Sequence, residues 1–519
     1  MVKRHAWAIT MAGIALGTGQ LVLAQKAATT PRELPVATAA KLPRWRGFNL
    51  PSRMNSQAKP DSRHNEPFKE ETFRLIAELG FNFTRIPTDY RHWIVDGDWL
   101  KIDEADEVLR DLDRVVAWGK QYGIHISMAF VFAPGYNVVK PSAAPSLWTD
   151  AGAQRACAHH WAMLSRRYRG ISSNRLSFNL WNEPPKLEPA VHLAVVQQVV
   201  AAIRKEDPDR LIIADGRDIG KTPSPELLPL GVAQAFHCYQ PGQVTHYKAS
   251  WTKGSDRYPM PTWPWAVANG WLRGTGHPVQ GGLPLVVQGP FPAGARLRLR
   301  VGDVFANATM VVTADQTETW RKVFLTGPTG KGEWQRSTYL ERWKDYQCRY
   351  DRDYEIPLPA GTKKLTIALP EGNWLQISEL GLRTADGPER SLALDAMWAE
   401  APTPVRYDAT KPNTPWQTPD ARGREWLRQQ FAPAWRELQR QGVGVLVEEF
   451  GVFHKTPHDV SLRWLEDALV IWQEAGWGWA LWNFTGPFGI LDSGRTDVQY
   501  EDWQGHKLDR KMLELLQKY

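Results

Sequence analysis

Short apolar runs alternate with amphipathic helical stretches from Trp45 onward, and one long stretch of different texture breaks the alternation. Together these predict an α/β fold: a (β/α)8 TIM barrel carrying an inserted all-β, jelly-roll-like sandwich. A doubly wound open sheet is the competing topology, and it is weakened because no glycine-rich phosphate loop follows the first strand. The strand candidates are RGFNL (46–50), FNFTRIP (81–87), IHISMAF (124–130), LSFNLWN (176–182), LIIAD (211–215), AQAFHCY (233–239), VGVLVEE (443–449) and WGWALWN (477–483). Helical periodicity fills most of the gaps, as in KEETFRLIAELG (69–80), EADEVLRDLDRVVAWGKQYG (104–123) and SLRWLEDALVIWQEAG (461–476).

The interruption lies between Cys238 and Val443, a gap too long for a strand-to-helix connection. Within it ARLRLRVGDVF, ATMVVTAD, TWRKVFLTG, RDYEIPLP, KKLTIALP and LQISELGLR are short alternating runs split by Gly, Pro and Asp, the pattern of a sandwich. The chain returns through a helical stretch (416–442) into the seventh strand. The expected division is a first barrel part with strands one to six (42–277), the insert (278–390) and a second barrel part with strands seven and eight (391–519). The insert is either a carbohydrate-binding module or a structural element, with Trp320, Trp334, Trp343 and Trp374 as its candidate platforms.

Ahead of the barrel, MVKRHAW is basic and AITMAGIALGTGQLVLA is apolar but short and interrupted by Gly, with Val22 and Ala24 placed for cleavage after Ala24. This predicts a signal peptide (1–24), export to the periplasm or outside the cell, and a flexible lead-in (25–41). Net charge is +7, but Lys and Arg are scattered rather than blocked, so no nucleic-acid partner is expected. Cys157, Cys238 and Cys348 have no spacing that suggests a zinc site or a disulfide framework. Trp, at 26 residues, is unusually frequent; most are expected in the core, and some to serve as flat platforms for sugar rings.

In a barrel of this type the C-terminal strand ends form the working face. Strand two ends with Arg85, strand four with Asn182 and Glu183, strand six with His237 and Tyr239, strand seven with Glu448 and Glu449, and strand eight with Trp482 and Asn483. Two carboxylates from different strands, amid Arg, His, Tyr and Trp, fit glycoside hydrolysis: one acid protonates the leaving oxygen and one carboxylate meets the cationic sugar carbon. Strand alternation allows only one of Glu448 and Glu449 to face the mouth. His246 and Trp251 on the loop after strand six could reach sugar or pack within the loop, and Trp263, Trp265 and Trp271 share that ambiguity.

The motifs FTRIP around Arg85, LWNEP around Glu183, FHCYQP around His237 and Tyr239, EEFG around Glu449 and WALWNF around Trp482 resemble those of glycoside hydrolase family 5, in order and on the expected strands. The resemblance implies a retaining mechanism on a β-glucan or related polysaccharide, with no metal or organic cofactor. It implies that Glu183 is the acid/base and Glu449 the nucleophile. Asn182 would bond the sugar 2-hydroxyl, Arg85 would orient Glu449, Tyr239 would touch the nucleophile, His237 would line the acid/base side and Trp482 would lie under the sugar. One departure stands out: where the family commonly reads HRAPGY after strand three, this chain reads VFAPGY (131–136), with Val131 and Phe132 in place of the polar pair. That leaves open a non-catalytic sugar-binding barrel, and among enzymes a transglycosylase or a hydrolase of mannan, xyloglucan or β-1,3-glucan.

Overall fold

Eight parallel strands close into a ring in the computed structural model of the chain, which describes residues 33–60, 62–139, 142–258, 260–277, 282–384, 387–395 and 401–519. The predicted signal peptide and residues 25–32 lie outside the described residues. The barrel strands are β1 (Arg46–Asn49), β2 (Phe83–Asp89), β3 (His125–Ala133), β4 (Leu176–Asn179), β5 (Leu211–Asp215), β6 (Ala233–Cys238), β7 (Val445–Phe450) and β8 (Gly478–Leu481). Each pairs in parallel with its neighbour, and β8 closes on β1 through Trp479 opposite Arg46. A short strand, Tyr136–Asn137, folds back antiparallel on the end of β3.

Apart from half-buried Arg46 and Phe132, these strands are buried because side chains fill the barrel on one face and helices cover the other. Helices α1 (Glu70–Glu78), α2 (Glu107–Tyr122), α3 (Ala151–Arg167), α4 (Pro189–Glu206), α5 (Arg424–Arg440) and α6 (His458–Ala475) supply that cover. In α2, Asp106 caps the start by accepting from the Val108 N–H, and Gly123 ends the helix in the left-handed conformation at φ 66°. Its Val108, Leu109, Leu112 and Val115 form the buried stripe, each worth about 1.5–3 kcal/mol. Gly47 is required by contact: a Cβ there would lie 1.7 Å from the Phe83 carbonyl oxygen on β2.

The floor of the barrel is closed by Trp45, Phe83, Ile213, Ala235 and Leu446, against which Ala37 and Leu42 pack. The Gly444 N–H donates to Ala39 O. Residues 33–41 were expected to be part of a flexible lead-in. They are instead docked on the floor, because Ala37 and the adjoining Leu42 are apolar side chains packed in its cluster.

A second, largely antiparallel sheet has its own apolar core, including Leu297, Val304, Leu375 and Ile377. Its strands begin at Trp265–Asn269 and run to Asp420–Arg422, reaching beyond the 278–390 span on both sides. The long strands Arg296–Ala314 and Lys364–Arg383 are broken by several register shifts. Such bulges curl the sheet round the core it encloses.

Candidate active site

Arg85, on β2 and fully buried, is the hub of the barrel mouth. Its Nη1 donates to Glu449 Oε1 at 2.6 Å and to Asn49 Oδ1 at 3.2 Å. Its Nη2 donates to Asn179 Oδ1 at 3.0 Å and to Asn182 Oδ1 at 2.9 Å. Glu448 Oε2 lies 3.6 Å from its Nε, and Asp215 Oδ2 lies 3.8 Å from its Nη2. A buried guanidinium is tolerable only with such compensation.

Glu449 receives a second hydrogen bond from the Tyr239 hydroxyl, at 3.2 Å on Oε2. Glu183 stands four positions past the end of β4, with its backbone in the left-handed region at φ 52°. A side chain in that region carries strain. Two bonds fix it: the Glu183 N–H donates to Asp215 Oδ2 at 2.9 Å, and the Tyr136 hydroxyl donates to the Glu183 carbonyl oxygen. Its carboxylate Oε1 lies 2.9 Å from His237 Nδ1. One donor atom from each of Glu183, His237 and Glu449 lies within 4.8 Å of the other two. Glu183 and Glu449 therefore bring a carboxylate oxygen each to within 4.8 Å of one another at the barrel mouth.

Electrostatics sort the acids of this cluster. Burial pushes the Glu448 carboxyl up to about 8, Arg85 pulling against it, so Glu448 keeps its proton at neutral pH. For Asp215 burial also favours the neutral form, but His237 and Arg85 outweigh it and hold the carboxyl at about 2. Burial raises the Glu449 carboxyl as well, opposed by His237 and Arg85. Burial would lower the His237 imidazole, yet Glu449 and Asp215 hold it well above its usual value. With Glu448 neutral, Asp215 is the buried anion facing Arg85 and His237. Donor spacing alone would let Glu183, His237 and Glu449 hold a cation, but an imidazole kept protonated by flanking carboxylates donates hydrogen bonds rather than binding an ion.

The expectation that alternation separates Glu448 from Glu449 needs correction. A register shift between Val447 and Glu449 breaks the alternation of β7, and both carboxylates reach Arg85. Depth separates them instead. Glu448 is sealed beneath Arg85 with Ser127 and Asn179 as partners, whereas Glu449 stands above it beside Tyr239. The structure thus joins Arg85, Asn182, Glu183, His237, Tyr239 and Glu449 in one network, and half-buried Trp482 packs in a cluster with Tyr239, Phe453 and Phe488.

Asp215, Asn179, Asn49 and Ser127 join the network unannounced by the sequence reading. Asp215 had a signal: it is the polar last residue of the apolar run LIIAD, the same kind of position that marks the other strand ends. His246 and Trp251 are brought beside the mouth. His246 packs on Tyr239 with ring centroids 5.0 Å apart, and Trp251, 59% exposed, stands edge-on to Phe453 at 4.8 Å. Trp263 is core, its indole N–H donating to Asp467, and Trp265 and Trp271 belong to the second sheet. At the departure after β3, the Arg91 guanidinium lies 4.3 Å over the Phe132 ring while bonded to Asp89.

The barrel gathers Arg85, Glu183, His237, Tyr239 and Glu449 at its C-terminal mouth, where parallel barrels of this class carry their active sites. Residues 38–280 match the cellulase family, glycosyl hydrolase family 5. It is 26% identical over 219 residues to Endoglucanase C of Acetivibrio thermocellus and 24% identical over 212 residues to Cellodextrinase A of Ruminococcus flavefaciens. These alignments cover 41% and 40% of this chain, and 62% of the length of each relative. A solved glycoside hydrolase superposes with a TM-score of 0.58 at 27% identity, over 92% of this chain and 99% of that one. Thermotoga maritima Cel5A, solved with mannotriose, shares the fold at a TM-score of 0.51 and 14% identity, over 91% of this chain and 97% of its own.

Proposed function

We propose that this chain is a retaining β-glycosidase acting on a β-glucan or related polysaccharide. Glu183 protonates the glycosidic oxygen while Glu449 attacks the anomeric carbon, and the aglycone leaves. Glu183 then takes a proton from water, which attacks the glycosyl-enzyme and frees Glu449. The single observation that carries this reading is the pair of facing carboxylates in unlike settings. Glu449 is held by Arg85 and Tyr239, and Glu183 stands against His237.

Asn182 is placed to meet the 2-hydroxyl while its Oδ1 accepts from Arg85, and Trp482 to lie under the sugar. The glucan assignment is supported by relatives that carry the names endoglucanase and cellodextrinase. Export by the N-terminal segment would place the enzyme where such polymers are found. In the inserted sheet, Trp374 stacks on Phe305 at 5.8 Å, whereas Trp320 and Trp334 pack against the core. Trp374 is itself buried, whereas Trp343 is 57% exposed, so Trp343 is the better candidate to support sugar there. The test is Glu449→Ala: release of reducing sugar from a soluble β-glucan falls to background with the fold intact, and release at the parent rate would refute the assignment.

A further inference from the structure

Asp215 closes β5 and is sealed from solvent, yet it touches the acid/base by two routes. Its Oδ2 accepts the Glu183 N–H at 2.9 Å and lies 3.2 Å from His237 Nε2. The other nitrogen of that imidazole, Nδ1, lies 2.9 Å from Glu183 Oε1. Its second oxygen, Oδ1, accepts from Asn179 Nδ2 at 2.7 Å, which fixes the carboxylate plane. One carboxylate therefore faces both the backbone and, through one ring, the side chain of Glu183. That backbone is held at φ 52° immediately before Pro184, so little else in the local chain would hold it there.

We propose that Asp215 is the positioning residue of the acid/base, holding Glu183 aimed at the glycosidic oxygen through its backbone N–H and through His237. This rests on reading Glu183 as the acid/base. The groups facing Asp215 fit the role from every side. Arg85 on β2 and His237 on β6 keep it anionic, and the Tyr136 hydroxyl at the end of β3 holds the Glu183 carbonyl from the opposite direction. Glu448 on β7 contacts the same Asn179 amide that holds Asp215. Glu449 on β7 and Tyr239 just past β6 complete the ring of titratable groups, bonded to each other rather than to Asp215. Asp215→Asn replaces an acceptor facing His237 Nε2 with an amide that can offer an N–H instead. The charged imidazole then loses the anion 3.2 Å from its Nε2, and its hold on Glu183 weakens.

Acid assistance matters in proportion to the basicity of the leaving group, so the test compares two substrate classes on full-length protein. With an alkyl or saccharide leaving group, Asp215→Asn lowers kcat/KM about 100-fold. With a dinitrophenyl β-glycoside, whose aglycone departs without a proton, glycosylation of the enzyme stays within about threefold of the parent. Equal losses on both classes would overturn the proposal and mark Asp215 as merely structural. If Asp215→Asn does not accumulate as folded protein, Asp215→Glu keeps the charge but moves it off the Glu183 N–H. It is expected to give the same split, and an even loss would again overturn the proposal. The outcomes separate this inference from the functional reading: a parent enzyme that cleaves neither class refutes the glycosidase itself. A parent that cleaves both, with an even loss in the variants, refutes only the role of Asp215.

Discussion

Replacing Glu448 by Gln should stabilise the protein and spare its activity, although Glu448 adjoins the proposed nucleophile. Glu448 is fully buried, with Asn179 Nδ2 donating to Oε2 at 2.7 Å and Ser127 Oγ 3.2 Å from Oε1. An amide reproduces the protonated acid there: its oxygen accepts from Asn179 and its NH2 donates to the Ser127 hydroxyl. The folded-state pKa is raised from 4.5 to about 8, so the proton is bound more tightly in the folded than in the unfolded chain. Stability linked to that proton is complete below the unfolded value. It declines by about 1.4 kcal/mol per pH unit between the two values, and about 5 kcal/mol has gone once pH passes the folded value. Glu448→Gln has no proton to lose, so its advantage over the parent should be small near pH 5 and grow toward about 5 kcal/mol by about pH 8. Urea unfolding of both proteins across that range measures the gap, and glycoside hydrolysis near neutral pH should remain within a few-fold of the parent. A variant less stable than the parent at every pH would refute the reasoning, because it would mean Glu448 is an ionised partner of Arg85.

Two further outcomes follow from the geometry. Trp251→Ala removes an exposed ring beside Tyr239 and His246. It should raise KM on polysaccharide about fivefold, the equivalent of about 1 kcal/mol of sugar stacking, while small aryl glycosides are unaffected, as steady-state kinetics on both substrates would record. Gly47→Ala forces a Cβ to within 1.7 Å of the Phe83 carbonyl oxygen, so the β1–β2 pairing must open. A loss of about 3 kcal/mol or more in denaturant unfolding is expected.

The parts of this molecule legible in the sequence are those dictated by period and punctuation. Strand runs such as LIIAD and AQAFHC are mostly apolar because a parallel barrel strand is buried on both faces, and the amphipathic stripe of α2 with its Gly123 stop repeats at helical spacing. Arg85, Glu183, His237, Tyr239 and Glu449 were visible as polar residues ending apolar runs. What eluded the sequence depends on contacts between distant segments. The bulge in β7 arises where its pairing with β6 and β8 slips, and no residue near Val447 announces it. Asn179 looks like an interior strand residue until Arg85, Asp215 and Glu448 converge on its amide. Trp265 and Trp271, read with the loop after β6, are drawn into the second sheet by pairing with strands more than a hundred residues away.

The central claim is that Glu449, and not its neighbour Glu448 or the facing Glu183, bonds to the sugar. Incubation with an activated 2-deoxy-2-fluoroglycoside, followed by peptide mass mapping, tests it most directly. One glycosyl adduct on Glu449 is the predicted result. A protein that turns over ordinary glycosides but gains no covalent mass, or gains it on Glu448 or Glu183, would contradict the account.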